Sequence, residues 1–371
     1  MNSQMRLLKM KYIDGFRNSE TATAISRQIK EIASKIGRQI TIMEVCGTHT
    51  MSIAKFAIRS LLPENIRLVS GPGCPVCVTP QGYIDAAIEL AECGKVIVTF
   101  GDMINVPGTY SSLSKARSSG AHVETCYSPA DAVEIANKYL DRQVVFLAVG
   151  FETTIGPVVS IVASAIKEEI GNLSLFTTFK LIPPAMEALS SDSELNIDAF
   201  LCPAHVSAII GAKAYEPFSV KYRKPCVIAG FEPLDILSGI KMITAQISNG
   251  ESKVENNYSR VVKYEGNPKA RAFINTYLEP ADSQWRGIGN IPGSGMSLRK
   301  EFGNFDSERK FGMNVDYKIS SEKCRCGDVL KGKISPDECP LFAKVCTPSN
   351  PAGPCMVSSE GTCSACYKYS R

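Results

Sequence analysis

The 371-residue sequence lacks any long hydrophobic run. Its longest apolar stretches, such as Val144 to Gly150, fall far short of the roughly 20 residues that a spanning helix needs. It also lacks a basic run interleaved with aromatic residues. The net charge is +4 with both signs mixed, which argues against a dedicated nucleic-acid surface. Neither G-x-x-x-x-G-K-S/T nor G-x-G-x-x-G occurs, so a nucleotide site has weak support. The first ten residues hold no extended apolar core and no small-residue cleavage site, so they do not read as a secretory signal. A cytoplasmic protein is the expectation. Tryptophan is nearly absent, with Trp285 alone.

Cysteine, by contrast, is abundant. There are fourteen, and seven of them lie between Cys324 and Cys366. Reducing compartments rarely maintain structural disulfides, so this clustering points to a metal or cluster site. A second group organises the first part of the chain. Met43-Glu-Val-Cys-Gly-Thr-His-Thr-Met51 ends an apolar run and opens a helical pattern over 50–62. Cys46 therefore falls in a strand-to-helix turn, where backbone N–H groups and the helix dipole favour an anion. That setting predicts a thiol of lowered pKa acting as nucleophile or metal ligand, with His49 close enough to share the site. Ser70-Gly-Pro-Gly-Cys-Pro-Val-Cys77 repeats the arrangement. Cys74 and Cys77 form a C-x-x-C, which serves either as a reversible dithiol or as half of a metal site.

From residue 39 onward, strand and helix patterns alternate. Strands are predicted at 40–45, 66–70, 95–100, 121–126 and 144–150, and helices at 50–62, 80–93, 111–119 and 129–140. Such spacing means βαβ units and a largely parallel sheet. Residues 1–38 read as an amphipathic helical region through Ile13, Phe16, Ala24, Ile25, Ile29 and Ile32. Asp102 and Asn105, after the third strand, are placed at the same sheet edge as Cys46. A second α/β unit begins near Arg142, with further strands at 173–182, 199–201 and 226–229. Its strand ends carry Glu152, His205 and Glu232, expected to face one cleft. The boundaries drawn are 1–141, 142–265 and 266–371. In the last of these, 268–278 is predicted helical and Gly287 to Gly295 a loop. The remainder is too poor in large apolar residues to build its own core, which is the mark of a segment held by metal.

The cysteines of that segment are Cys324, Cys326, Cys339, Cys346, Cys355, Cys363 and Cys366. Zinc favours paired C-x-x-C knuckles, and only Cys363/Cys366 has that form. Irregularly spaced thiolates suit an iron–sulfur cluster, which needs four. Both remain open from spacing, and seven thiols leave a surplus for a dithiol beside the metal.

The stretches MEVCGTHT, GPGCPVC, GFETT, PAHVS, VIAGFEPLDIL, CRCGDVLKGKISPDECPLF and GPCMVSSEGTC run in order through nearly the whole chain. Together they resemble the HypD family of [NiFe]-hydrogenase maturation proteins. The resemblance implies two Rossmann-like α/β domains plus a small cysteine-rich C-terminal region holding a [4Fe-4S] cluster. It implies a complex with HypC on which the Fe(CN)2CO unit is assembled. Cyanide comes from HypE, with HypF upstream, and the unit then passes to the hydrogenase large subunit. Carried over residue by residue, Cys46 holds the nascent iron with His49 beside it, and Cys74/Cys77 is a redox-active pair. Cys324, Cys339, Cys346 and Cys363 ligate the cluster, and Cys326/Cys355 is a second redox pair. Glu360 lines the same region, and Cys366 is no ligand. Two readings of other kinds stand beside this one: a freestanding iron–sulfur disulfide reductase of the ferredoxin–thioredoxin reductase type, and a zinc-stapled scaffold without redox work.

Overall fold

The computed structural model describes residues 14–317 and 324–370. Part of the expected N-terminal helical region, including Ile13, lies outside the described residues. Within them the predicted strands appear nearly as read: β1 (Ile40–Glu44), β2 (Ile66–Ser70), β3 (Val96–Phe100), β4 (Val123–Cys126), β5 (Val144–Gly150), β6 (Leu173–Phe179), β7 (Ala199–Pro203), β8 (Cys226–Ala229) and a short β9 (Val254–Asn256). They form two parallel sheets, ordered β2-β1-β7-β8-β9 and β4-β3-β5-β6. This is an α/β fold of Rossmann-like character.

The sheets do not part at 141/142, where reading in chain order put a boundary. Strands β3 and β4 lie before that point, and β5 and β6 after it, yet all four share one sheet. The chain starts the first sheet, builds the whole of the second, and returns to finish the first, where Ile42 of β1 pairs with Ala199 of β7. Strand patterning reports burial, not partner choice, so it carries no sign of this return.

Alternation along the strands puts both faces to use. In β5, Val145, Leu147 and Val149 face a core shared with Met43, Val69 and Phe200 of the first sheet, whereas Val144, Phe146 and Ala148 face an outer cluster with Ile155, Val158 and Val162. Ile40 and Ile42 of β1 turn to a third cluster under the helices Ser19–Ala33 and Pro233–Ser248. Parallel sheets need cover on both faces, and this division supplies it.

The stretch read as a loop at Gly287 to Gly295 is instead the turn and the first part of the second strand of a hairpin, β10 (Leu278–Trp285) and β11 (Gly289–Leu298). Its glycines hid it. Gly287 and Gly289 take φ of +74° and +110° in the turn, a region open chiefly to glycine. The strand is held from outside its own sequence: Leu181 N–H donates to Ser294 O at 2.8 Å, and Trp285 Nε1–H to Ser294 Oγ at 2.7 Å. The segment after Cys324 has only short helices and turns and packs back over the first sheet's carboxyl edge, the helix Thr362–Tyr369 lying against the helix Gly47–Lys55. Among the described residues no helix is long and apolar enough to cross a membrane.

Candidate functional site

Strands β1 and β2 are parallel neighbours, so their carboxyl ends deliver the two cysteine turns side by side. Cys46 is the residue before the helix Gly47–Lys55, and Cys74 stands in the same position before the turn Pro75–Val78. The turns touch through backbone. Gly47 N–H donates to Gly73 O at 2.8 Å and Gly71 N–H to Glu44 O at 2.7 Å. A Cβ on Gly73 would stand 2.0 Å from Cys46 N, so only glycine allows this approach. Cys74 and Cys77 are joined as a disulfide with a Cα–Cα distance of 5.2 Å. Both are buried, at 3% and 0% exposure.

The Cys46 thiol is not of lowered pKa. Burial pushes it up. The N–H groups of His49 and Thr48 pull the other way, as a helix start should, while Glu360 and Glu44 add to the rise. Desolvation outweighs the helix end because the residue is 1% exposed. A thiol held protonated is a poor nucleophile, and it gives up its proton only when a cation arrives to replace it.

The His49 backbone N–H bonds Cys46, while its ring is held by β8 and the residue after it. Its Nε2–H donates to Gly230 O at 2.9 Å, its ring packs on Phe231 at 5.1 Å, and its Nδ1 is buried without a hydrogen bond. Burial lowers its pKa to about 4. The imidazole against the thiol is His205, whose Nδ1 stands 4.0 Å from Cys46 Sγ; burial lowers it also to about 4. Glu152 and Glu232, expected in one cleft with His205, take other partners. Glu152 accepts from Ile182 N–H at 2.8 Å, and Glu232 accepts from Arg17 Nη2 at 2.8 Å.

Carboxylates ring the site. Glu44, missed by a reading that took it as the end of an apolar run, accepts from the Cys46 N–H and the Thr50 hydroxyl; burial raises it to about 7. Glu360 Oε1 accepts from Thr48 Oγ1 at 2.6 Å, and burial raises it as well. Asp102 Oδ2 accepts from Ser358 Oγ at 2.9 Å. Asn105 instead lines a separate cleft with Lys115 and Pro348.

Six cysteines, Cys324, Cys326, Cys339, Cys346, Cys355 and Cys363, line one small cavity with Val329, Leu341, Phe342 and Met356. Cys366 is not among them; it lines a different pocket with Arg59 and Thr362. Among the described residues no three metal-binding side chains already converge at coordinating distance. The donor set itself is all thiol and the walls are apolar, which suits a thiolate-ligated iron–sulfur centre. The wall is tight: a Cβ on Gly353 would meet Cys324 Sγ at 2.5 Å. Hydrogen bonding to Cys326, and then burial, raises Cys324, and burial raises Cys363. The turn Pro354–Val357, carrying Cys355, packs on the turn Pro75–Val78, carrying Cys77. The cysteine cavity thus abuts the disulfide, and the disulfide turn abuts Cys46.

A family model described as HypD, hydrogenase formation hypA family, matches residues 20–370. A hydrogenase maturation factor HypD of Azotobacter vinelandii is 44% identical over 370 residues, covering 98% of this chain and 97% of its own. The Cupriavidus necator protein of the same name is 43% identical over 371 residues, covering 98% of each. That of Escherichia coli is 41% identical over 366 residues, covering 97% of this chain and 98% of its own. With its signature cysteines gathered at one sheet edge and this match over nearly its full length, the chain belongs to the HypD family of hydrogenase maturation factors.

Proposed function

We propose that this hydrogenase maturation factor is the scaffold on which the Fe(CN)2CO unit is built. The iron is cargo, held at Cys46. HypC would supply a further ligand, HypE the cyanide after activation by HypF, and the hydrogenase large subunit would receive the product, all in the cytoplasm. The observation that carries the reading is the succession of contacts that links the cysteine cavity, through the Cys355 and Cys77 turns, to the Cys46 turn.

The site's residues suit that work. Iron carrying cyanide and carbon monoxide is soft and prefers thiolate. As it binds, the Cys46 proton must leave. Glu44 Oε2, bonded to the Cys46 N–H, belongs to a buried carboxyl raised to about 7, which lets it take up a proton near neutral pH, and burial raises Glu360, bonded to Thr48, in the same direction. The N–H groups of Thr48 and His49 at the helix start favour the anionic ligand. Low exposure keeps water from the iron.

A [4Fe-4S] cluster on Cys324, Cys339, Cys346 and Cys363 would supply single electrons. Cys326 and Cys355 would link it to Cys74/Cys77. The freestanding reductase reading fits less well, because the Cys74–Cys77 disulfide is buried and offers no face to an external disulfide substrate.

The test is the metal content of protein purified without oxygen, read with its visible spectrum. The proposal expects about four iron and about four sulfide per chain, with brown colour. Zinc with no sulfide would overturn the redox part and leave Cys46 on a passive scaffold.

A further inference from the structure

Arg286, in the turn of the β10–β11 hairpin, is a buried cation without an acidic partner among the described residues. It is 6% exposed. Its backbone N–H donates to Val78 O at 2.9 Å, next to Cys77. Its Nη2 donates to Gln81 Oε1 at 3.1 Å, and its Nη1 is buried with no hydrogen bond. No carboxylate pairs with it among the described residues. The next residue is pressed against the cysteine cavity: a Cβ on Gly287 would lie 2.2 Å from the Cα of Gly327, which follows Cys326. The hairpin turn therefore fixes Arg286 between the disulfide turn and the Cys326–Gly327 wall of the cavity, with its guanidinium bonded to Gln81.

A guanidinium cannot shed its charge, and burying it unpaired is costly because its hydration is lost with nothing to replace it. Something anionic must face it in the working protein. The chemistry within reach is sulfur. Cys326 is one residue from Gly327, against which Gly287 is pressed, and Cys77 is one residue from Val78, whose carbonyl accepts the Arg286 N–H. A cluster held by four thiolates is anionic, and more so once reduced.

We propose that Arg286 is a positioning residue that provides the counter-charge for the sulfur centre, raising its reduction potential by stabilising the reduced, more negative state. This rests on the cluster reading above. A fixed positive charge in a low-dielectric site acts strongly because little water screens it. The same guanidinium adjoins the Cys77 turn, so one side chain biases both sulfur groups.

The experiment is an EPR-monitored redox titration of the full chain, prepared anaerobically, as wild type, R286Q and R286K. The proposal expects R286Q to have a more negative midpoint potential than wild type, or to fail to take up iron where R286K succeeds. R286K should restore most of the wild-type value. Equal potentials in all three overturn it. Loss of iron uptake in R286Q and R286K alike also overturns it, because the side chain's shape and not its charge would then be what matters. A wild-type protein without iron and sulfide defeats the cluster reading itself, a different result from either.

Discussion

Burial, more than sequence neighbourhood, sets the chemistry of single side chains here. Glu152 shows it most cleanly: 4% exposed, one oxygen bonded to Ile182 N–H, the other unpaired, its pKa raised by burial to about 7 from 4.5. The folded state thus keeps a proton that the unfolded state releases. Stability attributable to this group is present below pH 4.5 and is lost as pH rises toward 7, by about 3 kcal/mol in all. In Glu152→Gln that loss disappears while the acceptor for Ile182 remains, so denaturant titrations at pH 5 and pH 8 should differ less in the variant than in wild type. An equal difference would contradict the assignment. The same force explains which site residues were legible. Cys46, Cys74 and Cys77 stood out because turn residues and thiols mark themselves in one dimension. For His49, proximity in sequence does not say what its ring nitrogens bond. The ring turns to the β8 carbonyls, and His205, distant in sequence, takes the place beside the thiol. Glu44 hid at the end of an apolar strand.

At the scale of elements, the paired turns after β1 and β2 are the critical part. Gly73→Ala drives a methyl into the Cys46 backbone, and the strain or displacement should cost about 1–3 kcal/mol or more and abolish hydrogenase maturation. Gly37→Ala, with open space around it, should do neither; thermal melts and maturation assays of both variants check this. The contact between the Cys355 and Cys77 turns makes a second prediction. Cys326→Ser or Cys355→Ser should block maturation while leaving cluster absorbance intact, and maturation at the wild-type rate would refute the relay. Most elements were readable from period and start signals, since β1 to β8 are apolar runs closed by turn residues. The β10–β11 hairpin was not, because it is held by Ser294 meeting Leu181 and Trp285 meeting Phe151, both distant in sequence.

Across the whole molecule, the first sheet opens and closes the α/β part of the chain, and the C-terminal segment then covers that sheet's carboxyl edge through Thr48–Glu360 and reaches the end of β3 in the second sheet through Asp102–Ser358. Sequence order could not reveal the return of β7 to β1, since a fully buried strand reads alike in either sheet. With the proposed cluster in place, a segment poor in apolar bulk should depend on it for its fold. Removing iron by oxidation and chelation should therefore open residues 324–370 to limited proteolysis while both sheets stay intact; uniform resistance would contradict this. The central claim is that Cys46 carries the cyanide- and carbonyl-bearing iron, and infrared spectroscopy of the chain isolated together with its maturation partners tests it most directly. Bands from bound cyanide and carbon monoxide should be present in wild type and absent in Cys46→Ala, with the cluster's visible absorbance unchanged. The same bands persisting in Cys46→Ala would show that the iron is held elsewhere.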